Sequence, residues 1–358
     1  MLAQPLSSRL TLLFLTLLLA SCDSTEAPDD DDPLPRGARE VAVDVSLADG
    51  EEYNTAFTRA RDLGADVFML SIGWEDLETA PGVYAPSFDY LAVANDYYPT
   101  RNARIALMIG PIDTNVERLP ADLKGRALDD PEVIARYRAL LDHVFAKIPD
   151  LELDLLAIGN EIDISLGADT DRWEEYRRFY TDVAEYARSL RPGLPVGVKM
   201  TLNGLIGSMK ENAAAINAAS DLILVTHYPL NGDFTVRDPE EIGEDFDKLV
   251  AAVDAKPIHF LELGYPSGSA NNSSEEKQAE FIRETFLAWD RHSAHIPFIA
   301  FGIMTDRSQS EVESFGDYYG IDDEKFLEYL RTLGLRTHVG EDKAGWAALA
   351  EELDARGW

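Results

Sequence analysis

From Val41 to about residue 335 the chain alternates short apolar runs with segments of helical periodicity, and no other feature limits the possible folds as strongly. The eight runs lie at residues 41–47, 66–74, 104–113, 151–158, 195–202, 222–230, 257–266 and 296–306. Strands that alternate with helices are typical of a mainly parallel α/β fold. Eight such units are the number found in a (β/α)₈ TIM barrel. We therefore predict the fold class α/β, with a single barrel domain over residues 41–358.

The segments between the runs predict the helices of this barrel. Helical patterns cover residues 51–63, 88–98 and 171–190, and a further helix should begin at Asp130, which Pro131 follows as a favourable first residue. A last helix, 342–356, is expected outside the barrel. The barrel region of about 320 residues exceeds the ~250 typical of this fold. We assign the excess to loops at the carboxyl face, the longest at 114–129 and 307–319.

Two acidic residues end two of the apolar runs. Glu161 follows the run LLAIGN, and Glu262 lies in PIHFLELGYP. Parallel barrels carry their active sites at the carboxyl ends of their strands. The roughly 100 residues between the two acids hold three βα units of about 30 residues each, so the acids should face each other across the barrel.

Regular alternation along the strands predicts which neighbours share a face with each acid. Glu161 should share its face with Gly159, Ala157 and Leu155, and Glu262 should share its face with Ile258 and Phe260. Either carboxylate alone could be structural, as a helix cap or a salt-bridge partner. Their equivalent positions on two buried strands favour a catalytic pair.

Three motifs at the strand ends resemble clan A glycoside hydrolases: GNE at 159–161, THYP at 226–229 and LELGYP at 261–266. The segment GWEDLETAPGVYAPSFDYL at 73–91 is similar to the clan's second-strand segment. The resemblance implies a retaining mechanism without a cofactor or metal, with Glu161 as general acid/base and Glu262 as nucleophile. It also implies that Asn160 contacts the sugar 2-hydroxyl and that Tyr228 touches the nucleophile.

The motifs are most similar to those of arabinogalactan endo-β-1,4-galactanases, which implies a carbohydrate substrate and endo action. Further candidates for substrate binding are Trp74, Asp113, His227 and Lys199. The chain differs from the clan at two places, since its eighth run, IPFIAFGIMTD, lacks the usual Trp and SIGWEDLE lacks an Arg. Lys199 could neutralise a neighbouring carboxylate, or form a Schiff base as in aldolase-type barrels.

The sequence lacks the motifs of other catalytic chemistries. The six His residues form neither HxH at the first strand nor HExxH, and the chain has no GxSxG elbow or glycine-rich phosphate loop. The net charge of -33 argues against a nucleic-acid partner. The alternative to an enzyme is a barrel that binds glycans without cleaving them.

The N-terminal residues predict that the protein is exported from the cytoplasm. Residues 1–22 have the apolar run of a signal peptide, and Leu19-Ala20-Ser21-Cys22 resembles the lipobox of bacterial lipoproteins, which implies lipidation of Cys22. The alternative is a plain signal peptide with an incidental Cys. Residues 23–40 should form a disordered acidic tether. We expect a monomeric lipoprotein outside the cytoplasm. Its lipid should anchor it to the cell envelope, at the outer membrane.

Overall fold

The computed structural model describes residues 33–253 and 255–358, in which the apolar runs form ten strands. The strands are β1 (Glu40–Val43), β2 (Val67–Gly73), β3 (Arg104–Asp113), β4 (Val116–Glu117), β5 (Leu153–Asn160), β6 (Val196–Gly197), β7 (Lys199–Thr201), β8 (Ile223–His227), β9 (Ile258–Leu263) and β10 (Phe298–Phe301). The predicted signal peptide and Cys22 lie outside the described residues.

Thirteen α-helices occur within the same described ranges. They are α1 (Tyr53–Asp62), α2 (Trp74–Leu77), α3 (Tyr90–Tyr97), α4 (Pro131–Lys147), α5 (Ile162–Leu166), α6 (Thr170–Leu190), α7 (Leu202–Ile206), α8 (Lys210–Asn217), α9 (Ile242–Ala252), α10 (Glu275–Arg291), α11 (Gln309–Tyr319), α12 (Glu324–Thr332) and α13 (Ala344–Arg356). None of these helices is long and apolar enough to cross a membrane.

The strands form the predicted (β/α)₈ barrel. Parallel ladders join β2, β3, β5 and β6 in one sheet, and β7, β8, β9, β10 and β1 in another. The two sheets share the fifth barrel strand, which is interrupted at Val198 into β6 and β7. β1 lies against β2 and completes the ring, while β4 forms an antiparallel hairpin with β3.

The barrel has an inner and an outer apolar layer. Small and medium side chains fill the interior, among them Ala42, Ala106, Ala157 and Leu224. Larger side chains such as Trp289 pack between the strands and the surrounding helices. Because both faces of every barrel strand are covered, the strands are nearly continuous apolar runs in the sequence.

The helix boundaries follow local signals. Asp130 caps α4 by accepting a hydrogen bond from the Glu132 backbone N–H at 2.8 Å, and Pro131 is the first helical residue, as predicted. The helices predicted at 171–190 and 342–356 appear as α6 and α13, and α13 packs on α10 outside the barrel. These elements confirm the sequence-based boundaries to within two residues.

The loop predicted at 307–319 is wrong, because most of it is helix α11. Ser308 caps this helix in a reciprocal box with Glu311, and Gly320 ends it with φ of 69°. Helix α12 follows and packs against α11 through a separate apolar cluster that includes Val312, Phe326 and Leu330. The predicted loop at 114–129 instead begins with the short strand β4 and continues in turns.

Residues 33–40, the last part of the predicted tether, pack against the barrel. The buried Arg39 guanidinium donates to Asp290 of α10 at 2.6 Å and to the Leu34 carbonyl at 2.6 Å. The Arg36 backbone N–H donates to the carbonyl of Arg356, at the end of α13, at 2.7 Å. These contacts correct the predicted disorder of this part, because buried charge pairing orders the chain before β1 begins.

Candidate active site

The turn after β5 places Glu161 at the carboxyl face of the barrel. Gly159 has φ of 92°, and a Cβ there would lie 2.7 Å from the Tyr176 hydroxyl, so only glycine fits. Glu161 itself has φ of 43° and begins α5. The regular alternation predicted along this strand therefore stops at Gly159, although Leu155 and Ala157 face the barrel interior as expected.

Two sets of hydrogen bonds hold the Glu161 turn. The Asp163 carboxylate accepts from the Thr201 backbone N–H at 2.9 Å and from the Thr201 hydroxyl at 2.6 Å, which ties α5 to the end of β7. The Glu161 carboxylate accepts from the Thr114 hydroxyl, beyond the end of β3, at 2.8 Å. Glu161 is thus attached to the third and fifth barrel strands as well as to its own.

A β-bulge in β9 aims Glu262 into the mouth of the barrel. Val225 of β8 pairs with Phe260, whereas the next residue of β8, Thr226, pairs with Glu262, so β9 carries one extra residue. Leu261 enters the inner layer, and Phe260 faces outward and stacks on Phe246 of α9. The predicted face that joins Ile258 and Phe260 to Glu262 is wrong, because the bulge shifts the alternation.

Glu262 is held by a cation and a hydroxyl. Lys199, whose side chain is only 4% exposed, forms an ion pair with Oε1 of Glu262. The Tyr228 hydroxyl donates to Oε2 at 2.9 Å, which is the contact that the resemblance implied. Burial and the charge of Glu262 raise the pKa of Tyr228, so it remains a donor. An ion-paired lysine is not the free amine that Schiff-base chemistry needs.

The two glutamates have different electrostatic surroundings. Burial, with a further contribution from the charge of Glu262, raises the pKa of Glu161 to about 8, while Lys199 and the Thr114 hydrogen bond oppose the rise. Glu161 is therefore protonated at neutral pH. Glu262 has a cation in direct contact, whereas Glu161 accepts a hydrogen bond from a neutral hydroxyl.

Asp44, which follows β1, is a third acid at the site and was missed from the sequence. Burial first, and then the charge of Glu262, raise its pKa, while Arg307 and Lys199 lower it. Asp44, Lys199 and Glu262 line a cavity of about 110 Å³ above the inner layer, together with Ser71 and Ala157. The acid at the end of the run VAVD is the same signal that identified Glu161 and Glu262.

A hydrogen-bonded chain joins Asn160 to the helix α11. The Asn160 amide donates to Asp113 at 2.7 Å, the Tyr318 hydroxyl donates to the same carboxylate at 2.7 Å, and Arg118 donates to the Tyr318 oxygen at 2.8 Å. The Asn160 side-chain oxygen is buried and has no partner. Asp113 is therefore at the site, where it orients Asn160 and anchors α11.

Tyrosines from α11 and α12 cover the carboxylates. The pKa of Tyr329 is raised by burial and by the charges of Glu161 and Glu262, and its ring lies edge-on to Tyr228 at 5.4 Å between centroids. Burial, followed by the charges of Asp113, Glu161 and Glu262, also raises the pKa of Tyr319. Neither tyrosine was predicted at the site, since Tyr319 ends the predicted loop at 307–319 and no element was predicted at Tyr329, although FGDYY and EYL contain Tyr.

Two predicted substrate-binding residues lie away from the site. His227 is the outward-facing neighbour of Tyr228, and its Nε2 is 2.8 Å from Asp245 of α9, with a pKa lowered by burial. Trp74 is fully buried and donates its indole N–H to Glu78 at 2.8 Å. Both predictions are wrong, since these side chains pack between strand and helix. In the two described ranges, no group of three His, Cys, Asp or Glu side chains could hold a metal ion.

The comparisons with known proteins find likeness in structure alone. No family model and no curated protein matches this chain. A GH5_18 structure from Bifidobacterium longum subsp. infantis has a TM-score of 0.67 at 13% identity and covers 88% of this chain and 78% of its own. A GH5_18 structure from Streptomyces cattleya in complex with Manβ1-4GlcNAc has a TM-score of 0.66 at 16% identity, with 88% and 80% covered.

An exo-β-1,4-mannosidase from Opitutaceae bacterium strain TAV5 has a TM-score of 0.67 at 15% identity over 89% of this chain. The present chain spans 59% of that protein's length. All three structural neighbours are glycoside hydrolases built on a TIM barrel. At these identities the likeness concerns the fold, and this chain has the (β/α)₈ barrel fold of those glycoside hydrolases.

Proposed function

We propose that this protein is a retaining glycoside hydrolase that acts on β-linked glycans, with Glu262 as nucleophile and Glu161 as general acid/base. The observation that carries the proposal is the pair of carboxyl groups at the ends of β5 and β9 in unequal environments. Glu161 has its pKa raised to about 8, and Glu262 is ion-paired with Lys199. A retaining glycosidase needs such a pair, in which one group is protonated and the other is ionised.

The geometry supports a double displacement. Protonated Glu161 gives its proton to the leaving glycosidic oxygen while a Glu262 oxygen bonds to the anomeric carbon. Once Glu262 is esterified, it carries no charge, and one cause of the high pKa of Glu161 disappears. Glu161 is then a carboxylate that takes a proton from water as the water attacks the anomeric carbon, and Glu262 leaves as a carboxylate.

Asn160 is suited to recognise a sugar hydroxyl. Its amide nitrogen is occupied by Asp113 at 2.7 Å, whereas its buried side-chain oxygen lacks a partner. A buried acceptor without a donor is costly, so a bound donor at this place stabilises the complex. The sugar 2-hydroxyl, which the resemblance to clan A glycoside hydrolases assigns to Asn160, fits this role.

The position of α11 favours attack at a chain end over the endo action that the galactanase-like motifs implied. Helix α11 follows β10, the eighth barrel strand, along the chain. It ends beside β3, the third barrel strand, where the Asn115 amide donates to the Tyr319 carbonyl at 2.9 Å. A helix that crosses the mouth leaves less room for a long groove on both sides of the carboxylates. The proposed substrate is a β-linked oligosaccharide or polymer end.

The test is hydrolysis of a panel of β-linked aryl glycosides, oligosaccharides and polymers, including galactan, mannan, xylan and β-glucans. Glu161→Gln and Glu262→Gln should each lower turnover of the active substrate by roughly 10²–10⁴-fold or more. Glu174→Gln, on the exposed face of α6, is the matched control and should retain activity. Proton NMR of the first product should show retention of the anomeric configuration, and release of single end units should exceed internal cleavage.

Near-wild-type hydrolysis by Glu161→Gln or Glu262→Gln contradicts the assignment of the two residues. Binding of a glycan by the wild-type protein without new reducing ends contradicts the enzyme itself and indicates the non-catalytic glycan-binding barrel. A random distribution of oligosaccharide products contradicts only the preference for chain ends.

A further inference from the structure

We infer that Lys199 is a positioning residue that orients the Glu262 carboxylate. Its positive charge also stabilises this carboxylate as the leaving group of the second step. The inference rests on the proposed function and deepens it. Lys199 acts through Glu262, since its ammonium is buried and forms an ion pair with that carboxylate.

The first observation is the geometry of the two donors on Glu262. Lys199 projects inward from β7 and pairs with Oε1, and the Tyr228 hydroxyl at the end of β8 donates to Oε2 at 2.9 Å. Each oxygen therefore has one donor, and the donors come from two adjacent strands. A carboxylate held at both oxygens cannot rotate freely, which keeps it aimed at one reacting carbon.

The second observation is the charge around Glu262. Asp44 reaches it from β1 and Glu161 from the turn after β5, and the charge of Glu262 raises the pKa of both. Lys199 lowers the pKa of both acids, and Arg307, in the segment after β10, lowers the pKa of Asp44. Tyr228, Tyr319 and Tyr329 complete the set of titratable groups around Glu262 from β8, α11 and α12.

The third observation is that Lys199 is buried. Its side chain is 4% exposed, so water screens its charge weakly, and the cavity of about 110 Å³ beside it is small. A cation there stabilises ionised Glu262 in the free enzyme. During the second step the bond between Glu262 and the anomeric carbon breaks and the electron pair returns to the carboxylate, which the ammonium again stabilises.

These observations predict a specific kinetic defect for Lys199→Met. Because Lys199 lowers the pKa of Glu161, loss of the cation should move the alkaline limb of kcat/KM to higher pH for a substrate with a poor leaving group. With a 2,4-dinitrophenyl glycoside, whose first step is fast, kcat should fall about tenfold or more and KM should fall with it. The glycosyl-enzyme should accumulate, visible as a burst of dinitrophenol and as a covalent adduct by mass spectrometry of the intact protein.

Two further variants separate this role from general damage. Lys199→Arg keeps the charge and should restore part of kcat and the wild-type alkaline limb. Lys256→Met removes a lysine that binds backbone carbonyls at the opposite end of the barrel, including Asn217 at 2.6 Å, and should leave the pH profile unchanged. Circular dichroism establishes folding for each variant.

A second measurement does not depend on activity. Lys199→Met leaves Asp44, Glu161 and Glu262 together without their cation, so thermal melts should show a loss of Tm at pH 7 that shrinks at pH 4, where protonated carboxyls repel less. Equal losses at both pH values contradict the charge role, as does an unshifted alkaline limb with a wild-type burst. An inactive wild-type protein that still shows the pH-dependent melts contradicts the proposed function and leaves the ion pair supported.

Discussion

Two residues at the site occupy backbone conformations that only glycine adopts easily, and they are bonded to each other. Thr114 has φ of 54° and Glu161 has φ of 43°, and the Thr114 hydroxyl donates to Glu161 at 2.8 Å. A non-glycine residue in this region costs about 1 kcal/mol or more. Such strain persists where the surroundings enforce it, here through the bonds of Asp163 to Thr201. The cost is consistent with selection for the position of the Glu161 carboxyl group.

The raised pKa of Glu161 predicts the alkaline limb of the activity. General acid catalysis requires the protonated form, so kcat/KM for a substrate with a poor leaving group should fall above pH 8, with a midpoint near the pKa of about 8. A 2,4-dinitrophenyl glycoside needs no proton in its first step and serves as the control, with a kcat/KM that should stay level across the same range. An alkaline midpoint below pH 6 for both substrates contradicts the assignment of Glu161 as the acid.

The same pKa predicts a stabilising substitution. The folded protein holds the Glu161 proton more tightly than the unfolded chain, whose value is near 4.5, so stability is lost as pH rises toward 8. Glu161→Gln titrates no proton and should exceed the wild-type stability at pH 8–9 by at least ~1 kcal/mol, or roughly 2–4 °C in Tm. Partial exposure of the side chain keeps this figure modest.

Thermal melts of wild type and Glu161→Gln from pH 4 to pH 9 measure this effect. The two curves should converge at pH 4, where the carboxyl is protonated in both states of the wild-type chain. A Glu161→Gln variant that is less stable than the wild type at pH 9 indicates that the carboxylate is paired in the folded state, contrary to the structure. Glu185→Gln, at an exposed position of α6, provides the reference for a carboxylate away from the site.

At the scale of elements, α11 and α12 distinguish this barrel from a plain one. They pack on each other through Val312, Phe326 and Leu330, and they place Tyr319 and Tyr329 over the carboxylates. The aromatic surface over the site therefore comes from the segment that follows the eighth strand, whose own end lacks a Trp.

Removal of the bonds between α11 and β3 should loosen this cover. Tyr318→Phe combined with Asn115→Ala deletes the bonds to Asp113 at 2.7 Å and to the Tyr319 carbonyl at 2.9 Å. We expect kcat/KM for short glycosides to fall several-fold, because Tyr319 is held less firmly. Polymer cleavage at internal bonds should rise relative to release of end units.

Hydrogen exchange over residues 309–332 measures the loosening directly. Tyr186→Phe, which deletes a single bond to Asp142 at 2.8 Å on the outer helices, is the matched control and should change neither exchange nor product pattern. Unchanged exchange in the double variant contradicts the view that these bonds hold α11 across the mouth.

How much of the fold and of the site the sequence predicts depends on whether the responsible residues are close together in the chain. The apolar runs and capping residues are local, so the barrel, α4 and α6 follow from the sequence. The bulge at Leu261 is not local, because it depends on how β9 pairs with both neighbours, and it reversed the predicted faces of Ile258 and Phe260. For α11 a local signal is present, since Ser308 and Glu311 form a capping box, and the prediction of a loop did not use it.

The errors at His227 and Trp74 have a common cause. Both residues adjoin strand ends, where one side chain faces the mouth and the next faces the helices. His227 faces Asp245 of α9, whereas its neighbour Tyr228 reaches Glu262. Which of two adjacent residues faces inward depends on strand register, which a motif does not specify.

At the scale of the whole molecule, the chain enters the barrel at the face opposite the site. Arg39 and Arg356 both donate to Asp290 at the end of α10, and β1 begins immediately after Arg39. The carboxylates lie at the other end of the strands. Residues 34–39 therefore pack at the end of the barrel opposite the carboxylates.

We propose a lipid anchor at Cys22, and one substitution tests it. Cys22→Ala removes the only thiol in the chain, so the protein should move from the membrane fraction to the soluble fraction of the host cells. Activity per folded molecule should be unchanged, because every residue of the candidate site lies within the described barrel, residues 33–253 and 255–358. Metabolic labelling with a palmitate analogue should mark the wild-type protein and not Cys22→Ala, while Ser21→Ala serves as a neighbouring control that keeps the thiol. Membrane association that survives Cys22→Ala, together with absent labelling of the wild type, contradicts the lipid anchor and indicates another contact with the membrane. A wild-type protein found in the soluble fraction indicates release after cleavage.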